Sequence, residues 1–290
     1  MTDTLMLETP GATLAYDVRG PLPPVDGRPP LFLVGAPMDA SGFATLAEYF
    51  SDRTVVTYDP RGLGRSVRND GRDDHTPEQN AEDMHSVIAA LGSGPVEMFA
   101  SSGGAVSALA LVVAHPDDVS TLVAHEPPML AILPDADRAL AAERDVQMTY
   151  HKEGWGSGMA RFIALTSWQG EFNGDFAAHA APDPAQFGLP TDDDGTRDDP
   201  LLSGTSNAIS RYRPEVRMLA GVPSRVVIAA GIESQGSVTG RTSAAAAEAL
   251  GQEVTIFPSH HAGFLGGEFG QHGEPEAFAA TLRRVLDGGQ

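Results

Sequence analysis

The stretch Val96 to Ala105 reads V-E-M-F-A-S-S-G-G-A, an apolar run ending in two serines and two glycines. A hydroxyl at the carboxyl end of a buried strand, just before a helix, stands where open α/β sheets collect their reactive groups. The backbone N–H groups after it lie at a helix N-terminus and can bind an oxyanion. A serine on so sharp a turn needs small residues two before and two after it, which is the steric content of G-x-S-x-G. Centred on Ser102 the pattern is Ala100-x-Ser102-x-Gly104, whereas centring on Ser101 puts Phe99 at a crowded position. Sterics therefore select Ser102 as the candidate nucleophile, with Ala100 where the motif has glycine. A plain Gly/Ser loop is the competing reading, and segments elsewhere must decide.

The elements that would position this turn follow a strand–helix rhythm. A-T-L-A-Y-D-V (12–18) alternates like a half-buried strand. L-F-L-V (31–34), T-V-V-T-Y (54–58), V-E-M-F-A (96–100) and S-T-L-V-A-H (120–125) are short apolar runs bounded by Gly, Pro or Asp. They predict buried strands. Helices are predicted at 44–50, 76–91 and 103–114, the second opened by Thr76-Pro77-Glu78-Gln79 and closed by Gly92. After Pro128 the alternation stops, and residues 129–220 carry helical patterns at about 135–150, 155–168 and 206–220. It resumes with strands at 225–230 and 253–257 and helices at 240–250 and 274–286. The expectation is an α/β fold: a mostly parallel eight-stranded sheet, helices on both faces, and a helical insertion after the sixth strand. Residues 1–128 and 221–290 form the core and 129–220 a cap.

The bulk numbers narrow the partners. The chain has 290 residues, 41% hydrophobic and 20% charged, which suits one large α/β domain. Its formal charge of −20 disfavours nucleic-acid phosphates and anionic membranes as partners. There is no cysteine, so disulfides, thiolate metal sites and a cysteine nucleophile are all unavailable. The N-terminal M-T-D-T-L-M-L-E-T-P lacks a basic and an apolar signal region, and no apolar run reaches membrane-spanning length. A cytoplasmic location is expected, and a homodimer is left open. In the Asp-rich stretch, placing Gly195 at the turn of a calcium loop fits Asp192 and Asp194 but puts Pro190 and Leu201 at ligand positions. No metal is expected.

Four segments together resemble the α/β-hydrolase fold superfamily, in its serine esterase and lipase-like branch. They are L-F-L-V-G-A-P-M, Y-D-P-R-G-L-G-R-S (58–66), M-F-A-S-S-G-G-A and F-P-S-H-H-A-G-F. The second is the most specific, matching the D-x-R-G-x-G-x-S of the family. Val34 replaces the family's usual His before Gly35, which touches the support of the oxyanion loop and not the mechanism. The resemblance implies an oxyanion hole from the backbone N–H groups of Ala36 and Gly103. It also implies a catalytic histidine after the last strand, where His261 is preferred to His260.

For the acid, the usual place after strand 225–230 reads Gly231-Ile232-Glu233-Ser234, with serine at the customary aspartate. A second place known in the superfamily, the end of the strand that follows the helix after Ser102, holds Glu126. Glu126 is preferred, with Glu233 the alternative, and both keep the order Ser…acid…His. The implied activity is hydrolysis of a carboxylic ester, lactone or thioester of a small apolar substrate through an acyl-enzyme, without metal or organic cofactor. An aspartate nucleophile, as dehalogenases and epoxide hydrolases use, is absent. Cofactor-free lyase, perhydrolase or cyclase chemistry on the same fold, and a non-catalytic ligand-binding relative, are the alternatives. Met129, Met148, Tyr150, Trp155, Met159, Phe162, Trp168, Phe172 and Phe176 are the apolar cap residues from which a pocket lining would be drawn.

Overall fold

The computed structural model describes residues 2–289; residues 1 and 290, at the ends of the two core segments, lie outside the described residues. Among the described residues nine strands form one sheet: β1 (Thr2–Thr9), β2 (Ala12–Arg19), β3 (Leu31–Ala36), β4 (Val55–Tyr58), β5 (Val67–Arg68), β6 (Val96–Ser102), β7 (Val119–His125), β8 (Arg225–Gly231) and β9 (Thr255–Phe257). The main path has eight strands in the order β1-β2-β4-β3-β6-β7-β8-β9, with the two-residue β5 attached to β2. From β4 to β9 every neighbour pair is parallel. That follows from strands buried on both faces: β4 is buried at all four positions, and β3 at five of six.

β1 escapes the hydropathy pattern because its side chains are mostly exposed. It exists through antiparallel pairing with β2 across a Pro10-Gly11 turn, where Gly11 adopts φ 78°. The helix Pro77–Leu91 begins as expected, with Gln79 N–H donating to Thr76 Oγ1, and ends at left-handed Gly92.

Two apolar layers sandwich the sheet. One packs the helices Pro77–Leu91, Gly103–Ala114 and Val238–Ala249 against the strands. The other centres on Phe43, Phe99, Phe257, Phe264 and Phe278, closed by the helix Pro275–Leu286. Phe99 meets Phe43, Phe264 and Phe278 edge-on at 5.4–6.3 Å.

The long insertion lies between β7, the sixth strand of the main path, and β8. Its helices Ala136–Glu153 and Trp155–Ser167 pack around a separate apolar cluster containing Tyr150, Phe172 and Phe176. The single helix expected at 206–220 is two short ones, Asn207–Ser210 and Val216–Leu219. Pro214 lies between them; it donates no N–H and pushes Arg213 out of the helical region.

Candidate active site

The elbow is a strained point. Ser102 ends β6 and caps the helix Gly103–Ala114 with φ 56° and ψ −130°, a region that an L-residue occupies only under constraint. Small neighbours are required because two strands crowd together here. A Cβ on Gly103 would stand 2.9 Å from the Ala36 carbonyl oxygen, and one on Gly104 would stand 2.9 Å from Gly35 Cα. The two serines part company at this turn. Ser101 is buried with its Oγ 3.2 Å from His125 Nδ1, whereas Ser102 lines a cavity of about 690 Å³.

The D-P-R-G-L-G-R-S segment holds the neighbouring loops in place. Asp59 accepts from Ala40 N–H at 2.9 Å and from Arg65 N–H at 2.8 Å. Arg61 grips Asp83 with two bonds of 2.6 and 2.7 Å, both side chains being buried. Ser66 Oγ donates to the Asp59 carbonyl and accepts from Ala15 N–H, joining the end of β4 to β2. These bonds fix the chain just after β3. The register sets Ala36 opposite Ser102, and Ala36 and Gly103 both line the cavity.

Of the two histidines after β9, His261 points a ring nitrogen at a carboxylate. Its Nδ1 lies 2.7 Å from Glu126 Oε2. His260 is otherwise engaged: Nδ1 accepts from Ala262 N–H at 3.1 Å, so Nε2 donates to the His272 carbonyl at 3.2 Å. Ser102 and His261 border the same cavity without a direct hydrogen bond between them; contacts of this kind tighten around a substrate.

The carboxylates separate as clearly. Glu126 follows β7 with φ 50° and is fully buried. Its Oε1 accepts from Gly231 N–H at 2.9 Å, while Oε2 accepts from Thr239 Oγ1 at 2.5 Å as well as facing His261. Burial alone would raise its pKa. The His261 hydrogen bond and the potentials of His261 and His125 outweigh it, holding the carboxyl well below its ordinary range. Glu233 is exposed at the cavity wall, its backbone N–H bonded to the Ser259 carbonyl at 3.0 Å. Among the described residues, three of the four non-glycine residues with positive φ, namely Ser102, Glu126 and Ser259, cluster around this arrangement. Strain concentrated at one place is a mark of functional geometry.

Sequence reasoning overlooked the supports of Glu126. Thr239 and the Gly231 N–H have no motif to announce them, because they reach the carboxylate only when β8 lies beside β7. It also passed over His125, which is fully buried, stacks on His261 at 6.1 Å and has Nε2 unpartnered 3.8 Å from Glu126 Oε1. Burial pushes its pKa down to about 4, so the ring is neutral near pH 7. Unfolded histidine titrates near 6.5, so the stabilising contribution is complete above that value and fades as pH falls towards 4. A stability difference of about 2–3 kcal/mol between pH 7 and about pH 4.5 is expected from this one group. His125→Phe should remove that part of the pH dependence in urea titrations; an unchanged slope would mean the ring is not held neutral.

The cavity wall contributed by the insertion includes Phe162, the one residue among the nine apolar cap candidates that borders it. Tyr150, Phe172 and Phe176 fill the insertion's own cluster, Met129 joins the main core, and Met148 is exposed. Away from the cavity, His85, His115 and Asp118 come close enough to hold a metal ion. The two rings are, however, stacked 3.7 Å apart and nearly parallel at 9°, whereas a shared ion must lie in both ring planes. Each ring also has a carboxylate partner, Asp118 at 2.7 Å and Glu82 at 2.9 Å. Among the described residues no helix is long and apolar enough to cross a membrane.

A mostly parallel sheet with helices on both faces, a helical insertion after β7 and a strained serine between β6 and its helix define an α/β hydrolase. The chain matches the model of the Alpha/beta hydrolase family over residues 31–281 and belongs to that family. It is 36% identical over 128 residues to the uncharacterized hydrolase YraK of Bacillus subtilis, a match covering 44% of this chain and 45% of that protein. The aligned part is thus less than half the length of that relative. Among solved structures it is similar to a thermophilic esterase from Thermogutta terrifontis, with a TM-score of 0.66, 19% identity, and coverage of 99% and 98% of the two chains. It is also similar to the enol-lactonase from Burkholderia xenovorans LB400, with a TM-score of 0.62, 19% identity, and coverage of 98% and 100%. At such identities the likeness establishes the fold.

Proposed function

We propose that this α/β hydrolase cleaves a carboxylic ester, lactone or thioester of a small molecule through Ser102, His261 and Glu126. The observation that carries the reading is the 2.7 Å contact from His261 Nδ1 to the buried Glu126 carboxylate, beside a cavity that also holds strained Ser102. Glu126 keeps the proton of His261 on Nδ1 and leaves Nε2 as the base. That nitrogen takes the Ser102 proton as Oγ attacks the acyl carbon, and then gives it to the departing alcohol or thiol. The backbone N–H groups of Ala36 and Gly103 stabilise the tetrahedral oxyanion; one such donor is worth about 3 kcal/mol. Water, deprotonated by His261, then attacks the acyl-enzyme, and the carboxylic acid leaves with Ser102 restored. Residues 129–220 act as the cap that shelters these steps from bulk water. A fluorophosphonate should label the protein once, and peptide mass mapping should put the adduct on Ser102. An adduct on Ser101 or elsewhere, or none, would overturn the assignment.

A further inference from the structure

The cavity has a polar wall that the hydrolytic steps do not use. Glu143 and Gln147 lie one turn apart on the helix Ala136–Glu153, and both line the cavity. Gln147 Nε2 donates to Asn207 Oδ1 at 2.5 Å, and Asn207 lines the cavity as well. Glu143 is the unbalanced member. Its Oε2 has no hydrogen-bond partner, and the nearest cation, Arg211, stands 3.8 Å away. The Ser210 hydroxyl beside it donates to the Asn207 carbonyl at 3.1 Å. Burial pushes the Glu143 carboxyl above its ordinary range, only partly offset by Ser210, Arg211 and Arg144.

A second orphan lies on the same cavity. Asn80, 4% exposed, donates through Nδ2 to Ser107 Oγ at 3.2 Å, and Ser107 donates onward to the Gly103 carbonyl at 3.1 Å. With Nδ2 on Ser107 and the serine proton on Gly103, Asn80 Oδ1 is left without a donor. Unpartnered buried acceptors are costly and ask for a reason. Among the described residues the lining also contains carboxylates but no lysine or arginine.

Resting on the hydrolase reading, we propose that Glu143 and Asn80 select substrates carrying an O–H or N–H donor, a hydroxyl or an amine, away from the scissile acyl carbon, and reject those carrying a carboxylate there. A donor supplies what both oxygens lack, whereas a carboxylate would meet two acceptors and a like charge on a wall that presents no lysine or arginine to the substrate. Glu143 is a specificity-determining residue in this scheme and takes no part in the bond-breaking steps.

The test compares ethyl esters of ω-amino, ω-hydroxy, methyl-ended and ω-carboxy acids over a range of acyl lengths. At the best length, kcat/KM for the amino or hydroxy ester should exceed that of the methyl-ended ester by about tenfold, the worth of one hydrogen bond to a charged group. The ω-carboxy ester should fall below the methyl-ended one. Glu143→Leu should abolish the donor preference, and Asn80→Leu should reduce it. Glu143→Gln distinguishes the two donors, losing selection of the amine but keeping that of the hydroxyl. Preference for the methyl-ended ester at every length, or a donor preference untouched by Glu143→Leu, would overturn the proposal. Absence of turnover with every ester would count against the hydrolase reading instead. Calorimetric binding of the matching ω-amino, ω-hydroxy and methyl-ended amides would then decide the selectivity alone.

Discussion

Ser102→Ala should lower kcat/KM for short p-nitrophenyl esters by about 10⁴–10⁶-fold and abolish fluorophosphonate labelling. The loss is large because no neighbouring group can replace the hydroxyl. Ser101, one residue away, is buried and turned to His125. What survives would reflect binding and the Ala36 and Gly103 donors alone. Folding is not the confounder, since alanine meets the same backbone demand at φ 56° that serine does. Ser102→Gly sharpens the test. Glycine adopts this conformation without penalty, so that variant should be as inactive yet more stable by about 1 kcal/mol in urea titration. Gained stability with lost turnover is the behaviour of a residue whose strain serves function. Labelling or turnover that persisted in Ser102→Ala would remove the serine from the mechanism.

Glu126→Gln should cost about 10³–10⁴-fold in kcat/KM. The amide can still accept from Gly231 N–H, which keeps the fold, but its NH₂ would then face His261 and Thr239. An NH₂ against Nδ1 draws the imidazole into the tautomer with its proton on Nε2, where it cannot take the proton of Ser102. The loss should therefore appear in kcat more than in KM. Glu233→Gln is the contrast, and at an exposed carboxylate without this contact it should change kcat/KM by no more than a few-fold. A large loss in Glu233→Gln with a small one in Glu126→Gln would reassign the acid. Because the folded Glu126 carboxyl sits below its ordinary range, its contribution to stability is complete above about pH 4.3 and is lost only in stronger acid. Activity lost on moderate acidification therefore cannot come from protonating this glutamate.

Much of the architecture is local in origin and could be read from the chain. The strands β3, β4, β6, β7 and β8 are apolar runs long enough to cross a sheet and bounded by turn residues. Thr76, Pro77 and Gly92 mark the ends of their helix by capping chemistry that needs no distant partner. The exceptions are equally instructive. β1 carries no buried face, so only its pairing with β2 reveals it. Pro214 breaks a helix that hydropathy alone would run on.

The chain by itself determined which serine occupies the elbow, because the clash that excludes Ser101 arises between residues two apart. It determined, too, that the loops carrying Ser102, Glu126 and His261 follow parallel strands and gather at one edge. Which carboxylate meets His261 was beyond it. Glu126 and Glu233 follow neighbouring strands, and nothing local distinguishes an acid after β7 from one after β8. Only the tertiary structure decided this contact, through the β7–β8 register that brings Gly231 N–H and Thr239 to Glu126. It equally decided that Glu143, unremarkable on an amphipathic helix, stands on the wall of the cavity with Oε2 lacking a hydrogen-bond donor. Local sterics choose a backbone conformation, whereas a carboxylate's partner depends on elements more than a hundred residues away, as with the 135 positions between Glu126 and His261.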